Sequence, residues 1–208
     1  MKIIKPLDNI LNTGVKTRIL RFICRTGAEW NGRQIAKEIG VTPKATHTAL
    51  SALNREKVLL LRNIGKTHVY SLNEGNFLVS KLLKPLFSKE DSIIGDINDM
   101  VKRKISVSEG KKGILSVAIF GSISALKDHS ASDIDMVVIV KNAEAKAAAG
   151  HLFEKIDAKI SKEFGNTVSP YINTKAEFRA KHKKGLSVIK DILRSYSLIY
   201  GKRPEALL

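Results

Sequence analysis

The chain has 208 residues, 43% of them hydrophobic, which is enough apolar material for one large domain or two small ones and argues against a wholly disordered chain. No apolar run approaches the roughly 20 residues of a membrane-spanning helix, and the first residues lack a signal-peptide pattern, so we expect a cytoplasmic protein without a membrane partner. The 36 basic and 20 acidic residues give a net charge of +16, which favours a nucleic acid as partner.

The first predicted helix covers about residues 17–25. Apolar residues recur there at helical spacing between arginines, and Gly27 is expected to end the helix. Cys24, the only cysteine, belongs to the apolar stripe and is expected in the core. A single cysteine excludes an internal disulfide and fits a reducing compartment.

Two further short helices are predicted immediately afterwards, joined by a tight turn. Asn31 is expected to cap the first, and Gly40 supplies the left-handed position at its end. Thr42 is expected to cap the second, with Pro43 at its first position, where the missing N–H costs nothing. Its inward face is predicted to consist of Thr46, Ala49, Leu50 and Leu53. This pattern is typical of a helix-turn-helix.

A strand–turn–strand pattern follows, in which "VLLLRN" and "KTHVYSL" flank Ile64 and Gly65. The order of helices and hairpin over about residues 10–75 resembles the winged helix-turn-helix of bacterial and archaeal regulators. The resemblance implies double-stranded DNA as partner. Residues 1–75 contain 13 basic and five acidic residues, a net charge of +8, which supports that partner over a protein-docking role.

The outward face of the third helix is predicted to meet the DNA. Its short polar groups near the helix N-terminus can reach base edges in a major groove, whereas basic residues farther along contact phosphates and set the register. The candidates for the helix face are Thr42, Lys44, Ala45, His47, Thr48 and Ser51, and those for phosphate contact are Arg55, Arg62 and Lys66.

A helical joint is predicted over residues 76–106. Pro85 is expected to bend or stop the first part, and Ser88 to cap a second helix in a capping box with Asp91. Apolar residues from Ile93 to Ile105 recur at helical spacing and offer a surface for a homodimer.

Two apolar strands with a pair of aspartates between them are predicted farther along the chain. Residues 114–120, "ILSVAIF", and 136–140, "MVVIV", suit a covered sheet. Asp133 and Asp135 precede the second strand, and residues i and i+2 of a strand share a face, so their carboxylates project together, roughly 7 Å apart along the backbone. Such a pair suits a divalent cation such as Mg²⁺.

The stretch "GSISALKDHSASDID" also contains a candidate anion site. Gly121 permits close approach of a phosphate, and the N–H and hydroxyl groups of Ser122 can bind it. Gly-Ser, ten residues and Asp-x-Asp resemble the signature of the polymerase-beta-like nucleotidyltransferases, specifically the minimal nucleotidyltransferase group. The resemblance implies that Ser122 contacts a nucleoside triphosphate and that Asp133 and Asp135 are the catalytic pair that holds Mg²⁺. Lys127, the only basic residue of the spacer, is a further nucleotide-binding candidate.

The sequence departs from that family at the third carboxylate, which such enzymes usually have on the next strand. That strand, residues 166–173, has Ser169 and Tyr171 at its alternating positions. Glu177 lies just beyond it and could replace the third acid only if it folds back. Without a third acid, a second metal and the base that deprotonates the acceptor have no assigned residue. The last helix is expected to pack through a face that runs from Leu186 to Tyr196.

The sequence thus predicts an α/β (α+β) chain with three parts. These are a winged helix-turn-helix domain (1–75), a helical linker (76–106) and a small nucleotidyltransferase-fold domain with a mixed sheet flanked by helices (107–208). The favoured function is a DNA-binding transcriptional regulator whose second domain binds nucleotide and Mg²⁺ as a sensor or is degenerate. One alternative is an active nucleotidyltransferase with a protein or small-molecule acceptor. Another is a pair of docking modules.

Overall fold

The computed structural model describes residues 3–121 and 133–208. The chain divides into two compact units, residues 1–93 and 94–208. None of the helices in the described ranges is long and apolar enough to span a membrane.

The first unit is a winged helix-turn-helix. Its elements are helices α1 (Leu7–Ile10), α2 (Gly14–Thr26), α3 (Gly32–Glu38) and α4 (Pro43–Arg55), and strands β1 (Trp30–Asn31), β2 (Leu59–Ile64) and β3 (Thr67–Leu72). The strands form an antiparallel sheet in the order β1-β3-β2. Helices α3 and α4 are the helix-turn-helix, and the β2–β3 hairpin is the wing.

Local signals end these helices where the sequence predicts. Gly27 has φ +61° and Gly40 φ +64°, so both adopt the left-handed conformation that glycine tolerates best. The Asn31 side chain accepts a hydrogen bond from the main-chain N–H of Gln34, and the Gln34 side chain accepts one in return. Thr42 caps α4, with Pro43 at the first position.

The core of the first unit lies between α2, α4 and the sheet. The largest fully buried side chains include Ile19, Leu20, Ile35, Leu50 and Leu59. The predicted inward face of α4, with Thr46, Ala49, Leu50 and Leu53, is buried as expected. Cys24 packs against this core and is half-buried, and burial raises the pKa of its thiol to about 11.

The predicted break in the joint is wrong. A π-helical turn at Val79–Leu83 leads directly into one continuous helix, α5 (Lys84–Ser106). Pro85 lies just after the π-helical turn, where the regular α-helical hydrogen bonding is already interrupted, so its missing N–H is tolerated inside the helical segment. Ser88 therefore lies inside a helix and caps nothing.

The two ends of this helical segment belong to different cores. Leu83 and Phe87 pack into the core of the first unit. Ile97, Met100, Val101 and Ile105 are buried in the core of the second unit. The apolar stripe predicted as a dimer surface is therefore mostly occupied within the chain, with Ile93 and Ile94 left exposed.

The second unit has a four-stranded mixed sheet. Its elements after α5 are a 3₁₀ turn (Glu109–Gly113), strands β4 (Ile114–Phe120), β5 (Ile134–Val140), β6 (Val168–Thr174) and β7 (Tyr196–Gly201), helices α6 (Ala143–Phe164), α7 (Lys175–Lys183) and α8 (Ser187–Arg194), and a 3₁₀ turn (Pro204–Leu207). The strand order is β6-β5-β4-β7. Strands β5 and β6 are parallel, and the other neighbours are antiparallel.

Helices cover both faces of this sheet, which explains the unbroken apolar runs of β4 and β5. One face packs on α5 and α6 through residues such as Val101, Phe153 and Ile156. The other packs on α7 and α8 through residues such as Phe178 and Ile189.

The edge strand β7 was not predicted from the sequence. The final helix ends at Arg194, so Tyr196 lies in a strand rather than on the helix face assigned to it. Six residues of mixed character give no clear alternation, and the strand forms because β4 offers a free edge for pairing.

Candidate functional site

The outward face of α4 is the first candidate. Lys44, His47, Thr48 and Arg55 are exposed, and so is Thr42 at the N-cap. Ala45 and Ser51 are half-buried, so they expose less surface to a ligand than the sequence suggested. The hydroxyl of Thr48 donates to the main-chain oxygen of Lys44, 3.1 Å away.

A groove of about 530 Å³ lies between the N-terminus of α4 and the wing. It is lined by Asn31, Gly32, Arg33, Pro43, His47, Lys66, Thr67, His68 and Tyr70. The groove places helix-face and wing residues from the predicted set, His47 and Lys66, on one surface. Arg33 and Lys66 make that surface cationic, and no residue that lines it is acidic.

The wing adds two basic residues to the candidate surface, one exposed at its tip and one in an ion pair. Lys66 lies at the tip of the β2–β3 hairpin, in the two-residue loop it forms with Gly65, and is exposed. Arg62, predicted to contact phosphate, forms an ion pair with Glu29. The charge of Arg62 is therefore partly balanced within the unit, whereas Lys66 extends from the hairpin tip.

The paired aspartates are the second candidate. Asp133 immediately precedes β5 and is exposed, and Asp135 is the second residue of β5 and is half-buried. The hydroxyl of Thr167 donates a hydrogen bond to the Asp133 carboxylate. The main-chain N–H of Ile134 donates to the oxygen of Thr167 at 2.8 Å, which fixes the start of β5 against β6.

Gly121 lies against Asp135. It follows β4 and has φ +76°, in the left-handed region. A Cβ at this position would come within 2.6 Å of Asp135 Oδ2. Both the backbone conformation and the contact therefore favour glycine, which gives a physical reason for this residue in the sequence pattern.

Electrostatics couple the two carboxyls. Burial raises the pKa of Asp135, and the nearby charge of Asp133 raises it further. Paired oxygen donors that repel each other fit a hard divalent cation, which would relieve the repulsion. Across the described residues, no cluster of three or more His, Cys, Asp or Glu is placed to hold a metal, so water and a bound ligand would complete such a shell.

Two predicted nucleotide-binding residues, Ser122 and Lys127, lie outside the described residues. The described part of that candidate site therefore consists of Gly121 and the two aspartates.

The register of β5 and β6 decides where a third carboxylate would have to be. Asp135 pairs with Ser169, so Ser169 occupies the neighbouring position, roughly 5 Å away across the strands. Glu177 follows the far end of β6, beyond the pair of Val140 with Thr174. Six residues of strand, about 20 Å, separate the two ends, so Glu177 cannot fold back to the aspartates.

Glu177 instead has structural partners. Its carboxylate accepts hydrogen bonds from the Lys146 ammonium at 2.7 and 2.9 Å and from the main-chain N–H of Thr174. The Lys146 ammonium lowers the pKa of Glu177, and so does the Thr174 N–H.

Sequence reasoning missed Thr167 and His68. Thr167 contacts Asp133 across two strands, which only the β5–β6 register reveals. His68 is the second residue of β3 and lines the same groove as His47 and Lys66. The alternation of side chains along a strand could have indicated His68.

Comparisons with known proteins give a limited result. No protein-family model and no curated protein matches the chain. Solved structures that resemble part of it include reduced HlyU from Vibrio cholerae (17% identity, 40% of this chain and 79% of that chain, TM-score 0.33). Another is NolR from Sinorhizobium fredii (21% identity, 39% of this chain and 77% of that chain, TM-score 0.34). A third is the transcriptional repressor BigR from Xylella fastidiosa (18% identity, 40% of this chain and 81% of that chain, TM-score 0.35). These likenesses are slight, and the description of the first unit rests on its own helix order and strand pairing.

Proposed function

We propose that the protein is a DNA-binding transcriptional regulator that reads duplex DNA through α4 and the wing. The observation that carries the proposal is the cationic groove between the N-terminus of α4 and the wing, which joins His47 to Lys66. Exposed polar side chains at the start of a helix suit base edges in a major groove, and lysines at a wing tip suit phosphates. The net charge of +8 in residues 1–75 supports the same partner.

Binding of the full-length protein to duplex DNA tests this proposal. Lys66→Gln and Arg55→Gln are each expected to weaken binding to all sequences and to reduce the slope of log affinity against log salt by about one. Lys44→Ala and His47→Ala are expected to change the preferred sequence recovered from a random duplex library. Fluorescence anisotropy and sequencing of bound duplexes measure the two effects.

Lys81→Gln is the matched control, because Lys81 is an exposed lysine of the same unit that lies outside the groove. Its affinity and salt slope should equal those of the parent. A parent protein that binds no duplex at low salt, or a Lys81 variant as weak as the Lys66 variant, would contradict the proposal.

For the second unit we propose a nucleotidyltransferase-like domain that binds a nucleoside triphosphate with Mg²⁺ as a sensor. Asp133 and Asp135 would hold the cation, which would supply charge neutralisation for the phosphates. Gly121 supports the site because its lack of a side chain leaves room for the Asp135 carboxylate. The serine opposite Asp135 favours binding over transfer, because Ser169 gives neither a third acid nor a base of suitable pKa.

The double substitution Asp133→Asn with Asp135→Asn tests this site. The fold should be kept, or be slightly more stable without metal, because the repulsion between the two carboxylates is removed. Mg²⁺-dependent heat of binding with a nucleoside triphosphate should be lost in calorimetric titration. Two carboxylates supply only part of the octahedral shell, so the parent should bind the cation weakly without nucleotide.

Glu154→Gln with Glu163→Gln is the control, since it removes two exposed carboxylates of α6 in the same unit. Equal binding of Mg²⁺ and nucleotide by parent and Asp133/Asp135 variant would refute the site. Labelled nucleotide transferred covalently to an acceptor, in an Asp135-dependent manner, would instead favour an active transferase.

A further inference from the structure

A second cationic groove, of about 450 Å³, lies in the second unit, away from the aspartates. It is lined by Lys141, Lys175, Ala176, Arg179, Ala180 and Lys183. Lys141 follows β5 and Lys175 follows β6, so the groove lies at the ends of the parallel pair where Val140 meets Thr174. Asp135 is at the opposite end of these strands, about 20 Å away by the strand rise.

The cations of α7 form a row. Lys175, Arg179 and Lys183 occur every fourth residue and so lie along one side of the helix, over about 12 Å. Ala176 and Ala180 lie between them and are exposed. Because alanine side chains are short, a ligand can approach the helix closely between the long basic side chains.

Neighbouring contacts leave the lysine charges of this row available. Glu177, the acid of α7, binds Lys146 and the N-cap of the helix. None of the six residues that line the groove is acidic. The guanidinium of Arg179 is partly engaged, because it donates to the oxygen of Leu207 at 2.9 Å and to the carboxylate oxygen of Leu208, the last residue, at 2.8 Å.

The groove has a defined limit on one side. A smaller depression, of about 280 Å³, shares Lys141 and is lined by Lys112 but also by Glu109 and Glu144. The positive surface is therefore interrupted by carboxylates there, and the cationic site is confined to the α7 side of Lys141.

We propose that this groove binds the sugar–phosphate backbone of a nucleic acid, as a contact of the second unit that is separate from the wing and the helix-turn-helix. One strand of a duplex advances 3.4 Å per nucleotide, so a row of about 12 Å spans roughly three or four nucleotides. Cations in a row with alanines between them match a linear polyanion, and the N–H groups of Arg179 that do not bind Leu207 or Leu208 suit phosphate oxygens. Stable membrane binding would call for large apolar side chains beside the cations, and the floor here has only the two small alanines.

The experiment uses the full-length protein with the first unit disabled by Lys44→Ala, His47→Ala and Lys66→Ala. Fluorescence anisotropy with a labelled duplex, a single-stranded DNA and a single-stranded RNA of the same sequence should detect residual, salt-sensitive binding. Adding Lys141→Gln, Lys175→Gln and Lys183→Gln should lower that affinity at least tenfold and reduce the salt slope by about two to three. The three probes identify which nucleic acid the groove prefers.

The matched control is Lys155→Gln with Lys162→Gln and Lys190→Gln, which removes three exposed lysines of the same unit that do not line the groove. Affinity should stay within twofold of the background protein. If the groove and control variants lost the same affinity for nucleic acid, the loss would come from the lower net charge alone, and the proposal would be overturned. Loss of binding to phosphatidylserine vesicles without loss on any nucleic acid would overturn it in favour of a membrane contact.

The outcome is separable from that of the proposed regulator function. If the intact protein binds duplex but the disabled background binds no nucleic acid, the groove proposal is wrong and the regulator proposal stands. If groove-dependent binding persists while Lys66 and His47 substitutions have no effect in the intact protein, the groove proposal stands and the proposed role of α4 and the wing is wrong. Far-UV circular dichroism of each variant verifies that the fold is kept.

Discussion

Gly121 links backbone conformation to the carboxylate pair. Its φ of +76° lies in the left-handed region, and its Cα hydrogens face the Asp135 carboxylate. Any side chain here meets two costs, one from the backbone and one from the contact with Asp135. A substitution at Gly121 therefore tests whether nucleotide binding needs the Asp135 carboxylate in its observed position.

Gly121→Ala is expected to destabilise the protein by about 1–2 kcal/mol, because alanine disfavours the left-handed conformation. The Asp135 carboxylate must also rotate away from the new Cβ, so Mg²⁺-dependent nucleotide binding should be lost. Thermal unfolding followed by circular dichroism and a calorimetric titration measure the two effects.

Gly150→Ala is the matched control. Gly150 lies within α6, and a Cβ there meets nothing within 4 Å. Alanine should stabilise this helix by about 0.5–1 kcal/mol. A Gly121 variant as stable as the parent, with unchanged nucleotide binding, would show that neither the strain nor the contact matters.

At the scale of elements, an ion pair joins α2 to α5 within the first unit. Arg21 donates to Glu90 through Nε at 2.6 Å and through Nη2 at 2.8 Å, and its guanidinium lies 5.7 Å from the centre of the Phe87 ring. The hydrogen bonds from Arg21 lower the pKa of Glu90. Both side chains are about one-third exposed, so solvent screens the pair.

Glu90→Gln should lower the stability of the first unit by about 0.5–1 kcal/mol near neutral pH. A lowered pKa in the folded state means that the carboxylate stabilises the fold above its ordinary pKa of 4.5. That contribution is lost as the pH falls below 4.5 through the folded value, so parent and variant should converge there. Urea unfolding followed by fluorescence measures this, because the single tryptophan, Trp30, packs against Phe22 in the same unit.

Glu74→Gln serves as the control, since Glu74 pairs with Lys84 on a more exposed part of the same unit. It should change stability by less than about 0.5 kcal/mol. A difference between the Glu90 variant and the parent that stayed constant from pH 7 to well below pH 4.5 would exclude the ion pair as its cause.

At the scale of the whole molecule, the predicted homodimer needs a different surface from the one the sequence suggested. The apolar residues Ile97, Met100, Val101 and Ile105 are buried in the second unit. Leu82, Leu86 and Ile93 remain exposed along one side of the helical segment of the first unit. Phe77, 66% exposed, precedes them. Exposed apolar side chains at helical spacing offer a self-complementary surface.

Leu82→Glu with Leu86→Glu is expected to convert a dimer into a monomer, because acidic side chains would be buried against each other. Sedimentation velocity at about 50 µM measures the change. The control, Ile3→Glu with Ile4→Glu, alters two exposed apolar residues elsewhere in the first unit and should leave the dimer intact. A parent protein that sediments as a monomer at this concentration would make the dimer prediction wrong.

Much of the first unit could be predicted because its signals are local. A capping residue acts on an N–H three residues away, and a left-handed glycine ends the helix it follows, so Gly27, Asn31, Gly40 and Thr42 identify helix boundaries without knowledge of the fold. Ser88 followed the same pattern and was misleading. Residues Lys84–Ser106 form one helix because its two ends pack into two cores, which outweighs a weak capping preference.

The sequence by itself therefore determined the helix-turn-helix, the wing and the placement of Asp133 and Asp135 at the start of an apolar strand. Only the tertiary structure decided that β7 pairs with β4, that Ser169 faces Asp135, and that Glu177 lies at the far end of the sheet. The physical reason is range. Caps, turns and strand alternation act over a few residues, whereas strand register depends on contacts between segments that are far apart in the chain.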